Sequence, residues 1–312
     1  MDPANGKSAG GATGDQRADP TRAVSGPGPG AATQVVGVIG YPVGHSLSPL
    51  LHNTAFGHLG LDWVSVGFPV RPGHAAAALA GARQLGVRGL SVTMPHKEDV
   101  AAAVGELSPE AARLGAVNCA VAVGDAWRGE NTDGAGFVAA LAGSGGFDPD
   151  GKRCLVVGAG GAARAVIAAL GDAGAAEVVV VNRTTERAVN AARLAGSAGR
   201  VGTTREASDC DLVVNATPAG MGDVQGGPDG WPVEPGLLRP GQLVIDLVYH
   251  PAVTPWLAAA ADLGATTANG LGMLVHQAAL QIEHWTGVAA PVDAMWAAAG
   301  GGAADAARDA HR

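Results

Sequence analysis

From about residue 34 the hydrophobic positions alternate between short solid apolar runs and longer periodic stretches. QVVGVIG is a compact run ending in glycine, and the loop after it leads into a helix starting near Pro49. WVSVGFPV reads as a second strand, HAAAALAGARQLG as a helix with a glycine stop, and GLSVTMP as a third strand. Then come GAVNCAVAV, a turn, AWRGEN, and a helix from Thr132 onward. Strands alternating with helices predict mainly parallel pairing and a covered sheet.

The pattern breaks at residues 143–153, GSGGFDPDGKR, where glycines and a proline mark a linker. A fresh series follows: CLVVGAGGAARAVIAAL, EVVVVNR, DLVVNATP and QLVIDLVY. The last helix, roughly Gly272 to Thr286, has the composition to pack on either half. The expected fold class is therefore α/β: two α/β domains, 34–142 and 143–270, with a cleft between them. The second is expected to be a Rossmann domain.

Composition narrows the field. The chain has 312 residues, enough for two cores, with 47% hydrophobic and 15% charged residues, as in globular proteins. Its formal charge of −8 argues against nucleic acid as a partner. Cys119, Cys154 and Cys210 form no CxxC pair, so a reducing cytoplasm is expected. No apolar run reaches the roughly 20 residues that cross a bilayer, and no membrane partner is expected. Residues 1–33 lack a signal-peptide stretch and read as a disordered extension rich in Gly, Ala and Pro; 300–312 read as a polar tail. The nine histidines are scattered, and no metal site is expected.

CLVVGAGGAARA runs from a buried strand through a glycine turn into a helix. Gly158, Gly160 and Ala163 match G-x-G-x-x-[G/A], with Ala159, Gly161 and Ala162 between them. In that context the helix N-terminus faces a pyrophosphate. An NAD site would carry an acid about 20 residues on. VVVVNRTTER instead puts Asn182, Arg183 and Thr184 at the strand end and Arg187 just beyond. If Thr184 caps the next helix, Arg187 sits in its first turn, where the macrodipole disfavours a cation. A rule broken locally suggests a ligand, and two guanidinium groups suit a 2′-phosphate, so NADP(H) is expected. A solvated helix start is the plainer alternative.

The chain has 17 Arg and only 3 Lys, and Lys97 follows GLSVTMP. Arginine does not readily exchange its proton, whereas a lysine in a cleft can, as ketone reduction by hydride requires. Asp133, in GENTDGAGF, is placed to orient it. Each residue also has an ordinary reading. Lys97 fits a solvated loop, Asp133 an acid favoured in a first helical turn, Ser48 an N-cap before Pro49, and Gln277 a helix interface.

Taken together, VIGYPVGHSLSPLLHN, SVTMPHK, GAVNCA, ENTDGAGF, GAGGAARA, NRTTER, NATPAGM, IDLVYHPAVTP and NGLGMLVHQAA resemble the shikimate dehydrogenase family, in chain order over about residues 35–287. The resemblance implies NADPH-dependent reduction of 3-dehydroshikimate to shikimate. It implies Lys97 and Asp133 as the catalytic pair, and Ser46 and Ser48 as ligands of the substrate carboxylate. Thr93, Asn118, Tyr249 and Gln277 match other substrate-contacting positions. The glycine turn, Asn182, Arg183, Thr184, Arg187 and Gly270 match cofactor-binding positions. It also implies C-terminal helices, 271–299, that return to the substrate domain, and a protein acting as monomer or homodimer.

Two positions depart from the family pattern: Cys119, where threonine is more common, and His96, whose ring is expected to tune Lys97. The related alternative is a quinate/shikimate dehydrogenase; the unrelated one is a noncatalytic NADP(H) sensor.

Overall fold

The computed structural model describes residues 28–221 and 230–300; most of the expected extension and tail lies outside them. The described residues form two six-stranded sheets. The first contains β1 (Gln34–Gly40), β2 (Trp63–Pro69), β3 (Gly89–Val92), β4 (Glu106–Leu107), β5 (Cys119–Val123) and β6 (Ala126–Glu130), in the order β2-β1-β3-β5-β6-β4. The second contains β7 (Arg153–Val157), β8 (Glu177–Val181), β9 (Gly199–Val201), β10 (Leu212–Asn215), β11 (Leu243–Asp246) and β12 (Thr266–Asn269).

In the first sheet, β1 is parallel to β2 and β3, because helices α1 (Ser48–His58) and α2 (Ala75–Gln84) carry the crossovers. Beyond β3 the direction changes. β5 is antiparallel to β3, and β6 antiparallel to β5. AWRGE is thus a strand, and the turn before it is confined to Gly124 and Asp125. Gly124 takes φ 54°, which a two-residue hairpin turn needs and glycine supplies without steric cost. The remaining helices of this region are α3 (Lys97–Ala103), α4 (Pro109–Leu114) and α5 (Asp133–Gly143).

The second sheet is wholly parallel, in the order β12-β11-β10-β7-β8-β9. Read from β9, that is the 3-2-1-4-5-6 order of dinucleotide-binding sheets, whose switch point lies between β7 and β10. Its four central strands, β7, β8, β10 and β11, are largely apolar because α6 (Gly161–Asp172), α7 (Thr185–Ala192) and α8 (Pro255–Asp262) cover the sheet.

Helices α9 (Leu271–Thr286) and α10 (Val292–Ala298) pack with α1 on the first sheet, sharing a core with Val36, Phe56 and Val121. Trp285 of α9 lies over Gly89 and bonds the carbonyl of Ala120 through its indole N–H at 3.2 Å. Helix α5 touches both α6 and α9, and glycine makes this possible. A Cβ at Gly134 would meet Ala165 O at 3.0 Å, and one at Gly136 would meet the Gln277 amide nitrogen at 2.7 Å.

Candidate active site

The first sheet's change of direction assembles the polar centre. Because β5 runs against β3, Ser91 faces Cys119, and the segment after β3 lies beside the segment before β5. Because β6 runs against β5, Cys119 also faces Glu130, which brings the residues after β6 to the same edge. Thr93 and Lys97, Asn118, and Asn131 to Asp133 thereby meet.

Lys97 is the first residue of α3, and its Nζ lies 2.5 Å from Asp133 Oδ2. A cation there is disfavoured by the macrodipole of α3, whereas Asp133, first in α5, is favoured by its own helix. The side chains are 16% and 5% exposed, so the pair is largely shielded from water. Asn118 donates from Nδ2 to Asp133 Oδ1 at 2.8 Å and accepts at Oδ1 from the Thr132 amide at 2.8 Å. Gln277 Oε1 lies 3.3 Å from Asn118 Nδ2, and Thr132 Oγ1 donates to the Gln277 carbonyl at 3.1 Å. Lys97, Asp133, Asn118 and Gln277 thus form one connected cluster. Asn131 and Thr132, which the sequence reading did not single out, hold it. Asn131 Oδ1 accepts the Asp133 amide proton at 3.1 Å, and Asn131 Nδ2 donates to Ala116 O at 2.9 Å. Their signal was their place in ENTDG.

Ser46 and Ser48 flank Leu47, the N-cap of α1, so Ser48 is a helical residue and not the cap. The Ser48 amide donates to Ser46 Oγ at 3.3 Å, and the buried Ser48 hydroxyl has no partner among the described residues. No acid lies in the first turn of α1. Two hydroxyls at an uncompensated helix N-terminus suit a carboxylate. Tyr249, from the loop after β11, reaches across from the second sheet: burial pushes its phenol up, opposed by the backbone of Leu47. Thr93 is half-buried at the end of β3, its methyl against Gly40.

His96 departs from expectation. Its ring is buried, with Nε2 2.6 Å from Val70 O, and among the described residues it shares no hydrogen bond with Lys97. Cys119 is buried, and burial pushes its thiol well up, so it is an inert core group.

The glycine turn lies at the switch point of the second sheet. Gly158 has φ 124°, and a Cβ there would meet Ala216 O at 2.8 Å, so only glycine fits. Gly160 caps α6 without a side chain, faces open space, and is followed by no acid in the first turn. Ala159 and Ala162 pack on the core beneath. Opposite, Asn215 Nδ2 donates to Asp246 Oδ1 at 2.9 Å, and Thr254 Oγ1 donates to Asp246 Oδ2 at 2.8 Å, which ties the ends of β10 and β11 together.

Asn182 and Arg183 follow β8, Thr184 is the N-cap of α7 without a side-chain capping bond, and Arg187 lies in the first turn. Arg183 and Arg187 are exposed and have no partner among the described residues. The uncapped, acid-free glycine turn before α6, together with the two guanidinium groups at the start of α7, fits the pyrophosphate and 2′-phosphate of NADP(H). Gly270 is buried where α9 begins; a Cβ there would lie 2.0 Å from Leu247 O, so close backbone approach requires glycine.

The two sites touch. A Cβ at Gly161 would lie 3.3 Å from Lys97 Cδ, so the lysine stem rests on the start of α6. Any nicotinamide reached from this turn would therefore lie near an amine held by a carboxylate.

Three family models match the chain: the shikimate dehydrogenase substrate binding domain at residues 38–120, shikimate / quinate 5-dehydrogenase at 141–220, and the shikimate 5'-dehydrogenase C-terminal domain at 270–299. The shikimate dehydrogenase (NADP(+)) of Moorella thermoacetica is 45% identical over 292 residues, 88% of this chain and 98% of that protein. That of Citrifermentans bemidjiense is 46% identical over 275 residues, 84% of this chain and 93% of its own. Among solved structures, shikimate 5-dehydrogenase from Thermus thermophilus in complex with NADP(H) and shikimate superposes with a TM-score of 0.79, at 37% identity, covering 86% of this chain and 98% of that one. The chain belongs to the shikimate dehydrogenase family.

Proposed function

We propose that this protein catalyses the reversible NADPH-dependent reduction of 3-dehydroshikimate to shikimate, with residues 34–142 and 271–299 holding the substrate and 143–270 the cofactor. The observation that carries the reading is the Lys97–Asp133 pair resting against the first residue of α6. Bound NADPH supplies the hydride.

Ser46 and Ser48 hold the substrate carboxylate at the N-terminus of α1, with Tyr249 closing that corner. This fixes the ring so that its ketone faces Lys97. Thr93, Asn118 and Gln277 contact the ring hydroxyls; Gln277 commits one Nε2 hydrogen to Leu274 O at 2.8 Å and keeps the other for substrate. Asp133 holds Lys97 through one oxygen and is itself held by Asn118 through the other. Lys97 Nζ donates a proton to the substrate oxygen during reduction and takes it back during oxidation.

Gly158 to Ala162 carry the pyrophosphate and Gly270 leaves room beside it. Asn182, Arg183, Thr184 and Arg187 select the 2′-phosphate, and no acid stands at the end of β8 to favour NAD. The enzyme acts as a monomer or homodimer. The three free, buried cysteines suit the cytoplasm, and no helix among the described residues is long and apolar enough to cross a membrane.

The test is shikimate oxidation followed at the reduced-nicotinamide absorbance band, with NADP and NAD side by side and quinate in parallel. Turnover of shikimate with NADP far above the other pairs is expected. Turnover mainly with quinate or NAD would overturn the assignments of Ser48 and Arg183, and no turnover with any pair would overturn the enzyme reading.

A further inference from the structure

Asp246, the last residue of β11, is fully buried and takes no part in the chemistry assigned to Lys97 and Asp133. We propose that Asp246 is a positioning residue that shapes the nicotinamide side of the cofactor cleft. Through Asn215 it sets the loop after β10, and through Val248 and Thr254 it sets the loop after β11. The inference rests on the proposed function, since it deepens the reading of residues 143–270 as the cofactor domain.

The order of the second sheet says which half of a dinucleotide these loops would meet. The 2′-phosphate is assigned to Arg183 and Arg187 beyond β8, and the pyrophosphate to the turn after β7. The rest of the molecule falls to the strands past the switch point, β10 and β11. Both loops already press on glycines of that site. A Cβ at Gly158 would meet Ala216 O of the first loop, and one at Gly270 would meet Leu247 O of the second. A shift of either loop would therefore change the space those glycines leave open.

The hydrogen bonds fix both loops in one arrangement. Asp246 Oδ1 accepts from Asn215 Nδ2 at 2.9 Å and from the Val248 amide at 3.1 Å, while Oδ2 accepts from Thr254 Oγ1 at 2.8 Å. The side chain receives three protons and offers none, the pattern of an ionised carboxylate. Asn215, also fully buried, must then turn its NH2 group toward Asp246, with the second hydrogen 3.3 Å from Ala219 O by its nitrogen. Its Oδ1 is left to accept from the Thr217 amide at 3.0 Å and the Thr217 hydroxyl at 2.7 Å. Having donated inward, that hydroxyl accepts from the Ala219 amide at 3.3 Å.

The polarity therefore runs one way: Ala219 to Thr217, Thr217 to Asn215, Asn215 to Asp246. A flipped Asn215 would set its NH2 against the Thr217 amide and its oxygen against the carboxylate. On the other side, Thr254 is the buried N-cap of α8 and accepts from the Leu257 amide at 3.3 Å, which leaves its own proton for Asp246. Tyr249 lies on the segment held between Val248 and Thr254. An aliphatic side chain at 246 would join β10 and β11 through apolar contact, but it would leave Asn215 free to turn over.

The experiment compares wild type, Asp246→Ala and Asp246→Asn by melting temperature and by calorimetric titration with NADP and with 2′,5′-ADP, which carries the adenosine phosphates and no nicotinamide. Asp246→Ala is expected to fold with a lower melting temperature, to weaken NADP about tenfold, and to leave 2′,5′-ADP within about twofold. Asp246→Asn, whose oxygen can still accept from Asn215 and Val248, is expected to recover most of that loss. If Asp246→Ala does not fold, Thr217→Val removes the hydroxyl at the loop end of the same chain and is expected to give the same split between the two ligands. Wild-type NADP affinity in a folded Asp246→Ala or Thr217→Val, equal weakening of both ligands, or no recovery in Asp246→Asn overturns the proposal. Wild-type protein that binds neither ligand overturns the functional reading, and the proposal with it.

Discussion

At position 97 the side chain reaches Asp133 from the first turn of α3, and the proposed reaction asks it to give up a proton as well, which lysine can do where arginine would remain a fixed charge. The pairing was legible in the sequence because Lys97 and Asp133 each sit in a distinctive motif. Arg183 and Arg187 were legible for another reason: two cations stand where an NAD site would carry an acid. The Arg183→Ala variant should raise the Michaelis constant for NADPH about tenfold or more, with that for NADH nearly unchanged. Equal effects on both would remove the 2′-phosphate assignment. Gln281 was not legible: its partner Asn118 lies 163 residues away in the chain, and no local pattern encodes which amide face turns inward. His96 shows the same limit: adjacency to Lys97 suggested an interaction, but His96 bonds the Val70 carbonyl while Lys97 bonds Asp133.

At the scale of elements, the solid apolar runs announced the parallel strands, whereas β6 was hidden. AWRGE begins after a two-residue turn, and its polar positions, Arg128 and Glu130, pair with each other at 2.7 Å. The consequence is functional, because the antiparallel β5–β6 hairpin brings Asn118 to Asp133. The approach of α5 to α9 is equally specific. Gly136→Ala would put a methyl group 2.7 Å from the Gln277 amide, so it should destabilise the protein by about 1–3 kcal/mol. Urea unfolding measures that loss, and a raised shikimate constant should accompany it.

The edge of the second sheet offers a pH test. Glu177 bonds both Arg200 and Arg153, and Arg200 foremost holds its carboxyl below the usual value. A folded value below the unfolded one means that the stabilisation is present above the unfolded pKa, about 4.3, and is lost as pH falls through the folded value. The stability advantage of wild type over Glu177→Gln should therefore shrink between neutral pH and pH about 3, as read from urea midpoints. A constant difference would rule out the ion pair as its source.

Across the whole molecule the two sheets are joined through α5, whose Phe137 and Leu141 share the second sheet's core while the helix packs on α9. A smaller cluster adds to the joint, Leu114 and Ala116 on Ala165 and Ala168, bordered by Arg113, whose Nη1 bonds Asp172 at 2.7 Å, and by Arg164 beside Glu98 at 3.4 Å. These bridges are partly exposed and contribute little, so the apolar contacts do most of the joining. Beside the Glu98–Arg164 bridge, Lys97 meets Gly161, and this is where substrate and cofactor would meet. NADP at about 100 times its dissociation constant should stabilise the fold by about 2.7 kcal/mol. The accompanying rise in melting temperature, about 2–4 °C per kcal/mol for a chain approaching this size, should fall by about half or more in Arg183→Ala at the same concentration. An undiminished rise in that variant would place the cofactor elsewhere.

The most direct measurement is the turnover of Lys97→Ala in shikimate oxidation with NADP, set beside calorimetric binding of shikimate to the same variant. If Lys97 carries the proton, turnover falls about 10²- to 10⁴-fold while the shikimate dissociation constant stays within about threefold. Turnover close to wild type, with binding intact, would contradict the account.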